Sequence, residues 1–398
     1  MKAVALISHR FGNIGHTFMS LGMEEIVREA FGPEVLIGHY EQHKVFDIYP
    51  PYHPLRTLDL LPHGRMTWAR RPLSSRRACQ MFWPGAHSLR KYHLAINCGG
   101  PSMTRGAGHS ADMKLMFWHK MGAFAHHGVP VLDLGVGSGA FGFENLPGKL
   151  DDALDKTDQA YFRRLFEYVA LTTTRDPLAH QLHSWLGRET PLVPCAAIAS
   201  GRWFERHLPP PPPLEEKVIL INFQKYGANE DWGQKVDPDI WKKTVQELIS
   251  RLRNQYRFEF LCHNKAEFVL AESVNASLPR HLPATPEEYA RLIGRARAGL
   301  VSRIHAAIPL AGIGIPSIAI GTDSRLGTLE LMGLKTFFVK QVTTDLLEKE
   351  INLLVERAPM ERERLLKVRE NTIQTYAGLC RQYARKDGPH PEHRRTSP

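Results

Sequence analysis

A repeated alternation of short apolar runs with helical segments constrains the fold of this chain more than any other feature of its sequence. The clearest instance is residues 301–325, VSRIHAAIPLAGIGIPSIAIGTDSR. Residues 298–302 predict a strand, residues 303–313 a helix that stops before Gly314 and Pro316, and residues 317–321 a second strand. In open parallel sheets, ligands bind beyond the carboxyl ends of the strands. The sequence therefore places residues 302–305 where a ligand would bind.

The same alternation occurs on both sides of a proline run. Strands are predicted at residues 2–8, 34–37, 93–97, 129–134 and 168–173, and again at residues 217–222 and 258–262. The consecutive prolines from Pro209 to Pro213 fit neither a helix nor a sheet, so they predict a stiff linker. The expected fold is α/β, with two Rossmann-like βα domains facing a cleft (GT-B-like) and C-terminal helices. The predicted boundaries are a first domain at 1–207, a linker at 208–216, a second domain at 217–343, C-terminal helices at 344–385 and a disordered tail at 386–398.

Composition indicates a globular protein that stays in the cytoplasm. Hydrophobic residues make up 43% and charged residues 23% of the chain, and no apolar run is long enough to span a membrane. The first residues, MKAVALISHRFGN, become polar before a secretory signal could form. The five cysteines are scattered without a CxxC pair, which favours reduced thiols over a disulfide framework or a zinc site.

The net charge of +10 favours binding to an anionic partner or an anionic surface. The basic residues are dispersed and no nucleic-acid-binding motif is present, so nucleic acid is not expected; an anionic small substrate and an anionic membrane surface fit equally well. One basic segment, residues 65–83, is either a solvated loop or a peripheral contact with the inner membrane face. Its arginines and aromatic residues are Arg65, Arg70, Arg71, Arg76, Arg77, Trp68, Phe82 and Trp83.

Three glycine-containing loops follow predicted strands of the first domain. They are GNIG with Asn13 and Gly15, followed by His16; CGGPS with Gly99 and Gly100; and GVGSG with Gly137. Each loop alone is explained by a tight βα turn, but together they would line one sheet edge and form the floor of a ligand site. The GxGxxG match at 137–142 lacks the helix and the acidic residue that a dinucleotide site needs, so NAD binding is not expected.

Two basic segments are candidates for contact with an anion. Arg175 directly follows a predicted strand, where it either meets an anionic ligand or forms a structural ion pair with Asp176. With Ser302 as the expected N-cap, Arg303 and Ile304 would offer free amides at a helix N-terminus, and the guanidinium of Arg303 would add a fork suited to phosphate or carboxylate.

His305 is either a buried structural histidine or a general acid and base that acts near neutral pH. His263 and Arg325 are further candidates for residues that line the cleft.

The motifs together resemble those of the polysaccharide pyruvyl transferases, over residues 3 to 340. The resemblance depends on GNIG, a GG at a later strand end, TRDPLAHQLHSWLG, SRIHAAIPLAGIGIPSIAIG and DSRLGTLELMGL. It implies a GT-B-like enzyme that uses phosphoenolpyruvate as co-substrate, without a cofactor or a metal site, to form pyruvate ketals on sugar hydroxyls. By motif match, Arg175 and Arg303 would bind the donor, Ile304 would offer a backbone amide, and His305 would be the acid and base.

The sequence departs from the family pattern on the first-domain side, where the resemblance places the acceptor. His16 stands where the family has an aspartate, CGGP replaces a glycine triplet, and CAAIAS replaces an acidic strand end. The acceptor is therefore left open among a sugar, a glycan and a lipid-linked sugar. Two alternatives remain: a nucleotide-sugar glycosyltransferase of the same architecture, with Asp323 as the ribose ligand, and a non-catalytic sugar- or lipid-binding module.

Overall fold

The chain folds into two parallel-sheet α/β domains with helices at the C-terminus. The computed structural model describes residues 1–8, 14–60, 71–139, 141–207 and 217–385. The first sheet has the strand order β2-β1-β3-β5-β4, with β6 also paired to β5, and the second has the order β12-β11-β10-β7-β8-β9. The strands are β1 Ala3–Ser8, β2 Leu36–Glu41, β3 Leu94–Asn97, β4 Gly100–Met103, β5 Val131–Ser138, β6 Leu171–Thr174, β7 Val218–Asn222, β8 Arg257–Leu261, β9 Arg280–His281, β10 Ala296–Val301, β11 Ser317–Gly321 and β12 Lys335–Phe338.

Helices cover the faces of both sheets. The described α-helices of at least seven residues are α1 Ile14–Phe31, α2 Arg76–Phe82, α3 Lys120–His126, α4 Lys156–Phe166, α5 Pro177–Trp185, α6 Ser200–His207, α7 Pro238–Leu252, α8 Lys265–Val274, α9 Pro286–Ile293, α10 Ile304–Gly312, α11 Thr344–Glu356 and α12 Ala358–Tyr383. The strands are almost continuously apolar because both faces are buried; every residue of β7 and β11 is buried. The predicted fold class is confirmed.

Two neighbouring strands of the first sheet differ from the expectation from sequence in a way that bears on the site. Strand β5 runs to Ser138 rather than ending at 134, and Gly100–Met103 forms a strand beside it. The small residues there suggested a loop, but close packing inside the first domain keeps the glycine-rich segment extended. Glycine is required at position 99, where φ is +64° and a Cβ would lie 2.5 Å from the carbonyl oxygens of Leu134 and Gly135.

A short seam joins the two domains beside the cleft. We define the seam as residues 141–143 of the first domain against residues 322–324 of the second. The amide of Phe143 donates to the carbonyl of Thr322 (3.1 Å), and the amide of Ser324 donates to the carbonyl of Phe141 (2.9 Å). These bonds surround an antiparallel bridge between Gly142 and Asp323. The domains are therefore in direct backbone contact on one side of the cleft.

The last helix returns to the first domain. Helix α12 packs against α1, and the hydroxyl of Tyr376 donates to the carbonyl of Pro194 (3.1 Å). Near its end, the ammonium group of Lys2 donates to the carbonyl of Arg385 (2.7 Å). Residues 344–385 thus connect both domains, while the predicted linker 208–216 and the predicted disordered tail 386–398 lie outside the described residues.

The structure corrects one part of the membrane hypothesis. Trp83 is buried in the core of the first domain, so it is not available to a lipid interface. Arg76 contacts Glu167 (3.5 Å), whereas Arg71 and Arg77 are exposed. Arg65, Trp68 and Arg70 lie outside the described residues. In the part of the chain that the structure describes, none of the helices is both long and apolar enough to cross a bilayer.

Candidate functional site

A small cavity of about 110 Å³ lies between the carboxyl ends of the two sheets. Its lining residues are His16, Pro101 and Arg175 of the first domain and Gln224, Ala228, Asn229, Ser302, Arg303, Ile304, His305, Gly321, Asp323, Arg325 and Leu326 of the second. Six residues predicted from separate parts of the sequence, His16, Arg175, Arg303, Ile304, His305 and Arg325, therefore line one cavity. They converge because Arg175 follows β6 and residues 302–305 follow β10, so each lies at the carboxyl end of a strand.

Arg175 is a buried cation without an acidic partner among the described residues. Its side chain is 1% exposed, and its Nε has no hydrogen-bond partner in the described part of the chain. Among the described residues, the hydrogen-bond contacts of its Nη1 are with two sulfur atoms, those of Met19 (3.6 Å) and Cys195 (3.4 Å), which are weak acceptors. The carboxylate of Asp176 instead accepts the amides of Ala179 and Ser138, both at 2.8 Å. The Arg175–Asp176 ion pair considered from the sequence is absent, which leaves the guanidinium available to an anion.

His305 lies in the first turn of α10, near two arginines and two other histidines. Burial, followed by the electrostatic effects of Arg175, His16, His263 and Arg325, holds the pKa of His305 well below its usual value. Its Nε2 is buried without a hydrogen-bond partner among the described residues, and its ring meets the edge of the His16 ring, with centroids 5.9 Å apart. The imidazole is therefore neutral at pH 7 in the unliganded protein.

Two of the predicted glycines make room for these side chains. A Cβ on Gly15 would lie 2.5 Å from the Cβ of His305 and 2.7 Å from its Nδ1. A Cβ on Gly137 would lie 2.7 Å from the Nε of Arg175. Both glycines thus shape the site without lining it, which is a more specific role than the ligand-contacting floor predicted from the sequence.

We expect Gly15→Ala to reduce activity much more than stability. The clash involves the Cβ of His305, which rotation of the side chain cannot move, so α1 or α10 must shift. Overpacking of this kind costs about 1–3 kcal/mol, partly offset by about 1 kcal/mol from the better helix propensity of alanine. The measurement is turnover together with urea unfolding. Gly378→Ala is the matched control, since Gly378 lies in helix α12 and a Cβ added there would meet no atom within 4 Å; equal activities of the two variants would contradict the packing argument.

The two other arginines of the cavity have acidic partners. Arg303 donates through Nε to Glu267 and through Nη2 to Asn229 (3.2 Å). Arg325 makes a two-pronged contact with Asp323, from Nε at 2.8 Å and from Nη2 at 2.7 Å. Arg175 is therefore the cavity arginine whose charge is not balanced by a carboxylate of the described residues.

The N-terminus of α10 differs from the prediction. Arg303, rather than Ser302, is the N-cap, and its amide donates to Oδ1 of Asn222 (3.0 Å). The amide is occupied because the neighbouring strand β7 ends in an asparagine that reaches across to it. The amides of Ile304 and His305 are the first of α10 and have no intrahelical acceptors.

The remaining predicted residues lie outside the cavity wall. The Nε2 of His263 lies 3.1 Å from the hydroxyl of Tyr289, and burial, followed by the charge of Arg303, lowers its pKa to about 3. Gly99 and Gly100 are set back from the cavity, and the next residue, Pro101, lines it. Asn13 lies outside the described residues.

Sequence reasoning missed Asn222, Gln224 and Glu267. Asn222 could have been found, because a polar residue ends the apolar strand VILIN at the ligand-binding edge. Glu267 gave no usable signal, since an acid in the first turn of a helix is ordinarily explained by the helix dipole.

Among the described residues, one group has potential metal-ligand atoms within 4.8 Å of one another: His109, Asp155 and Asp158. The carboxylate of Asp158 accepts the amides of Gly106 (2.9 Å) and Gly108 (2.7 Å), and Asp155 caps helix α4. These bonds explain the group as a structural one.

Comparison with known proteins gives a family and a fold. The family model for polysaccharide pyruvyl transferase matches residues 13–324. The chain thus belongs to the polysaccharide pyruvyl transferase family and is a pyruvyl transferase whose acceptor is a sugar or glycan. Among curated proteins, none matches significantly.

Solved structures similar to this one confirm the GT-B-like fold. UDP-GlcNAc 2-epimerase from Neisseria meningitidis, bound to UDP-GlcNAc, has a TM-score of 0.53 at 11% identity, covering 96% of this chain and 99% of that one. Sucrose-phosphate synthase from Thermosynechococcus elongatus has a TM-score of 0.54 at 14% identity, with coverage of 96% and 99%. At such identities the likeness concerns the fold alone.

Proposed function

We propose that this enzyme transfers the pyruvyl group of phosphoenolpyruvate to two hydroxyls of a sugar, glycan or lipid-linked sugar and forms a pyruvate ketal. The observation that carries the proposal is Arg175, a fully buried guanidinium with no acidic partner among the described residues. A buried charge of this kind costs several kcal/mol unless an anion accompanies it. A donor with a phosphate and a carboxylate supplies that anion.

The arrangement around the cavity suits a small, doubly functional anion. Arg175 approaches from the first domain, while Arg303 and the amides that begin α10 approach from the second. A helix N-terminus and guanidinium groups both favour anionic oxygens. The cavity of about 110 Å³ is smaller than the roughly 300 Å³ or more of a site for a drug-sized ligand, which favours phosphoenolpyruvate over a nucleotide sugar.

His305 is proposed to move the two protons of the first addition. The protonated imidazole gives its proton to the methylene carbon of the donor, and the first sugar hydroxyl adds to the resulting oxocarbenium-like carbon and returns a proton to the imidazole. The bond from this carbon to the phosphate oxygen then breaks, and the second hydroxyl adds in its place. Its proton leaves with the phosphate, so the products are the ketal and hydrogen phosphate. The step needs neither a cofactor nor a metal ion.

The nucleotide-sugar alternative needs Asp323 to bind the ribose, but this carboxylate already has other partners. The carboxylate of Asp323 is held by Arg325 and also accepts the indole N–H of Trp232 at 3.2 Å. A cytoplasmic location and a contact of residues 65–77 with the inner membrane face remain predictions of the sequence.

A thermal-shift series followed by product analysis tests the proposed function. We expect phosphoenolpyruvate to raise the Tm, since a ligand at 100 times its Kd adds about 2.7 kcal/mol of stability, and UDP-GlcNAc to leave it unchanged. Mass spectrometry of acceptor mixtures should then show addition of a pyruvyl group with release of phosphate. Stabilisation by UDP-GlcNAc alone would favour the glycosyltransferase alternative, and no stabilisation by either compound would favour the binding module.

A further inference from the structure

Glu267 fixes the direction in which Arg303 faces the cavity. Glu267 is a buried residue of helix α8, and its carboxylate accepts the Nε of Arg303. Because Nε is occupied by Glu267, an anion in the cavity can reach this guanidinium only through its terminal nitrogens, Nη1 and Nη2. Nη2 is further held by Oδ1 of Asn229, a residue that lines the cavity, at 3.2 Å.

The same carboxylate holds the backbone around the site. Its Oε2 accepts the amide of His263 (2.8 Å) and the Nδ2 of Asn222 (3.1 Å). Asn222 in turn accepts the amide of Arg303 through Oδ1 (3.0 Å). Glu267 therefore fixes the side chain of Arg303 directly and its backbone through Asn222, so that strand β7, helix α8 and the start of helix α10 are joined in one network.

The groups that face the carboxylate of Glu267 are hydrogen-bond donors. Besides those of Arg303, Asn222 and His263, the side-chain amide of Asn264 (3.4 Å) points at it. A glutamine at position 267 would present an NH₂ group to some of these donors and would leave them unsatisfied. Glu267 therefore contributes its negative charge and its capacity to accept several hydrogen bonds, rather than its shape.

We infer that Glu267 is a positioning residue of the anion site, which presents the Nη edge of Arg303 to the donor. The inference rests on the proposed function. Glu267 is not among the residues that line the cavity, so its effect on the donor has to pass through Arg303. A purely structural carboxylate would lower the stability of the protein without changing the affinity of the folded protein for the donor.

A double-mutant cycle between Glu267 and Arg303 separates these roles. We expect Glu267→Gln to raise the Kd for phosphoenolpyruvate about tenfold or more, as measured by titration calorimetry, because a charge-assisted contact is misdirected. The KM for the acceptor should stay unchanged. In an Arg303→Ala background the same substitution should add little, since the group that it positions is absent.

Glu259→Gln is the matched control. Glu259 is a buried carboxylate of the same domain that contacts two arginines and a histidine, Arg257 (2.8 Å), Arg295 (2.9 Å) and His281 (2.7 Å), none of which lines the cavity. It should lose stability but keep the wild-type Kd. The inference is wrong if Glu267→Gln binds the donor like the wild type, or if its effect adds fully to that of Arg303→Ala.

The cycle also distinguishes failure of the inference from failure of the proposed function. If the wild-type protein does not bind phosphoenolpyruvate, the proposed donor is wrong. The cycle is then performed with inorganic phosphate, for which the orientation of Arg303 predicts the same non-additivity. Independent effects with phosphate as well would overturn the role of Glu267.

Discussion

Replacing His305 with alanine is expected to reduce pyruvyl transfer by at least about 10²-fold while phosphoenolpyruvate still binds. His305 is one of two imidazoles that line the cavity, with His16, and burial and nearby arginines keep the pKa of His305 well below the usual value before the donor arrives. The bound donor anion offsets the charges of Arg175 and Arg325, so the pKa of His305 should rise and the imidazole should take up a proton on binding.

Calorimetry in buffers of different ionisation enthalpy measures that proton directly. The wild-type protein at pH 7.5 should take up more protons on donor binding than the His305→Ala variant. His109→Ala serves as the control, since His109 is an exposed residue that pairs with Asp155 (2.7 Å) outside the cavity. Normal turnover in His305→Ala, or equal proton uptake in the two proteins, would reject the role of His305 as acid and base.

Replacing Arg175 with methionine is expected to stabilise the unliganded protein and to weaken donor binding. The guanidinium is 1% exposed, with sulfur atoms as its hydrogen-bond contacts and no acidic partner among the described residues, so an apolar side chain of similar length removes a cost without removing an ion pair. Gains from such replacements are about 1–4 kcal/mol. Loss of a buried partner of a bound anion costs about 2 kcal/mol or more, which is at least about a 30-fold rise in Kd.

Urea unfolding without donor and calorimetric titration with phosphoenolpyruvate test both halves of this prediction. Arg369→Met is the matched control: Arg369 is also buried, but it pairs with Glu205 (2.8 Å) and Glu370 (2.9 Å), so its loss should destabilise the protein and leave donor binding intact. An Arg175→Met protein that is less stable and still binds the donor would show that Arg175 is structural.

The fold could be predicted because its signals are local. Apolar runs, helical periodicity and the Gly314–Pro316 stop define the strand, helix and strand around α10, and φ of +80° at Gly314 shows why glycine ends that helix. Strand β4 could not be predicted, because Gly100–Met103 becomes a strand only through pairing with β5, which is distant in sequence.

The positions of the site residues could be predicted, because these residues follow strand ends. Their side-chain partners could not, because they come from parts of the chain that are distant in sequence. Arg175 and His305 come together because parallel strands deliver their carboxyl ends to one edge. Arg303 pairs with Glu267, whereas Arg175 has no acidic partner among the described residues. This difference depends on contacts between residues that are distant in sequence, and no spacing of residues in the sequence indicates it. The role of Asn222 in place of a Ser302 cap has the same origin.

The seam between residues 141–143 and 322–324 has a consequence for the energetics of catalysis. Enzymes whose lobes stand apart must spend part of their substrate affinity on drawing the lobes together. Here the backbone bonds of Phe143 and Ser324 already hold the halves in register next to the cavity. The donor site is therefore assembled before the donor binds. Any opening of the cleft that admits a large glycan has to be a rotation of the two domains about this seam.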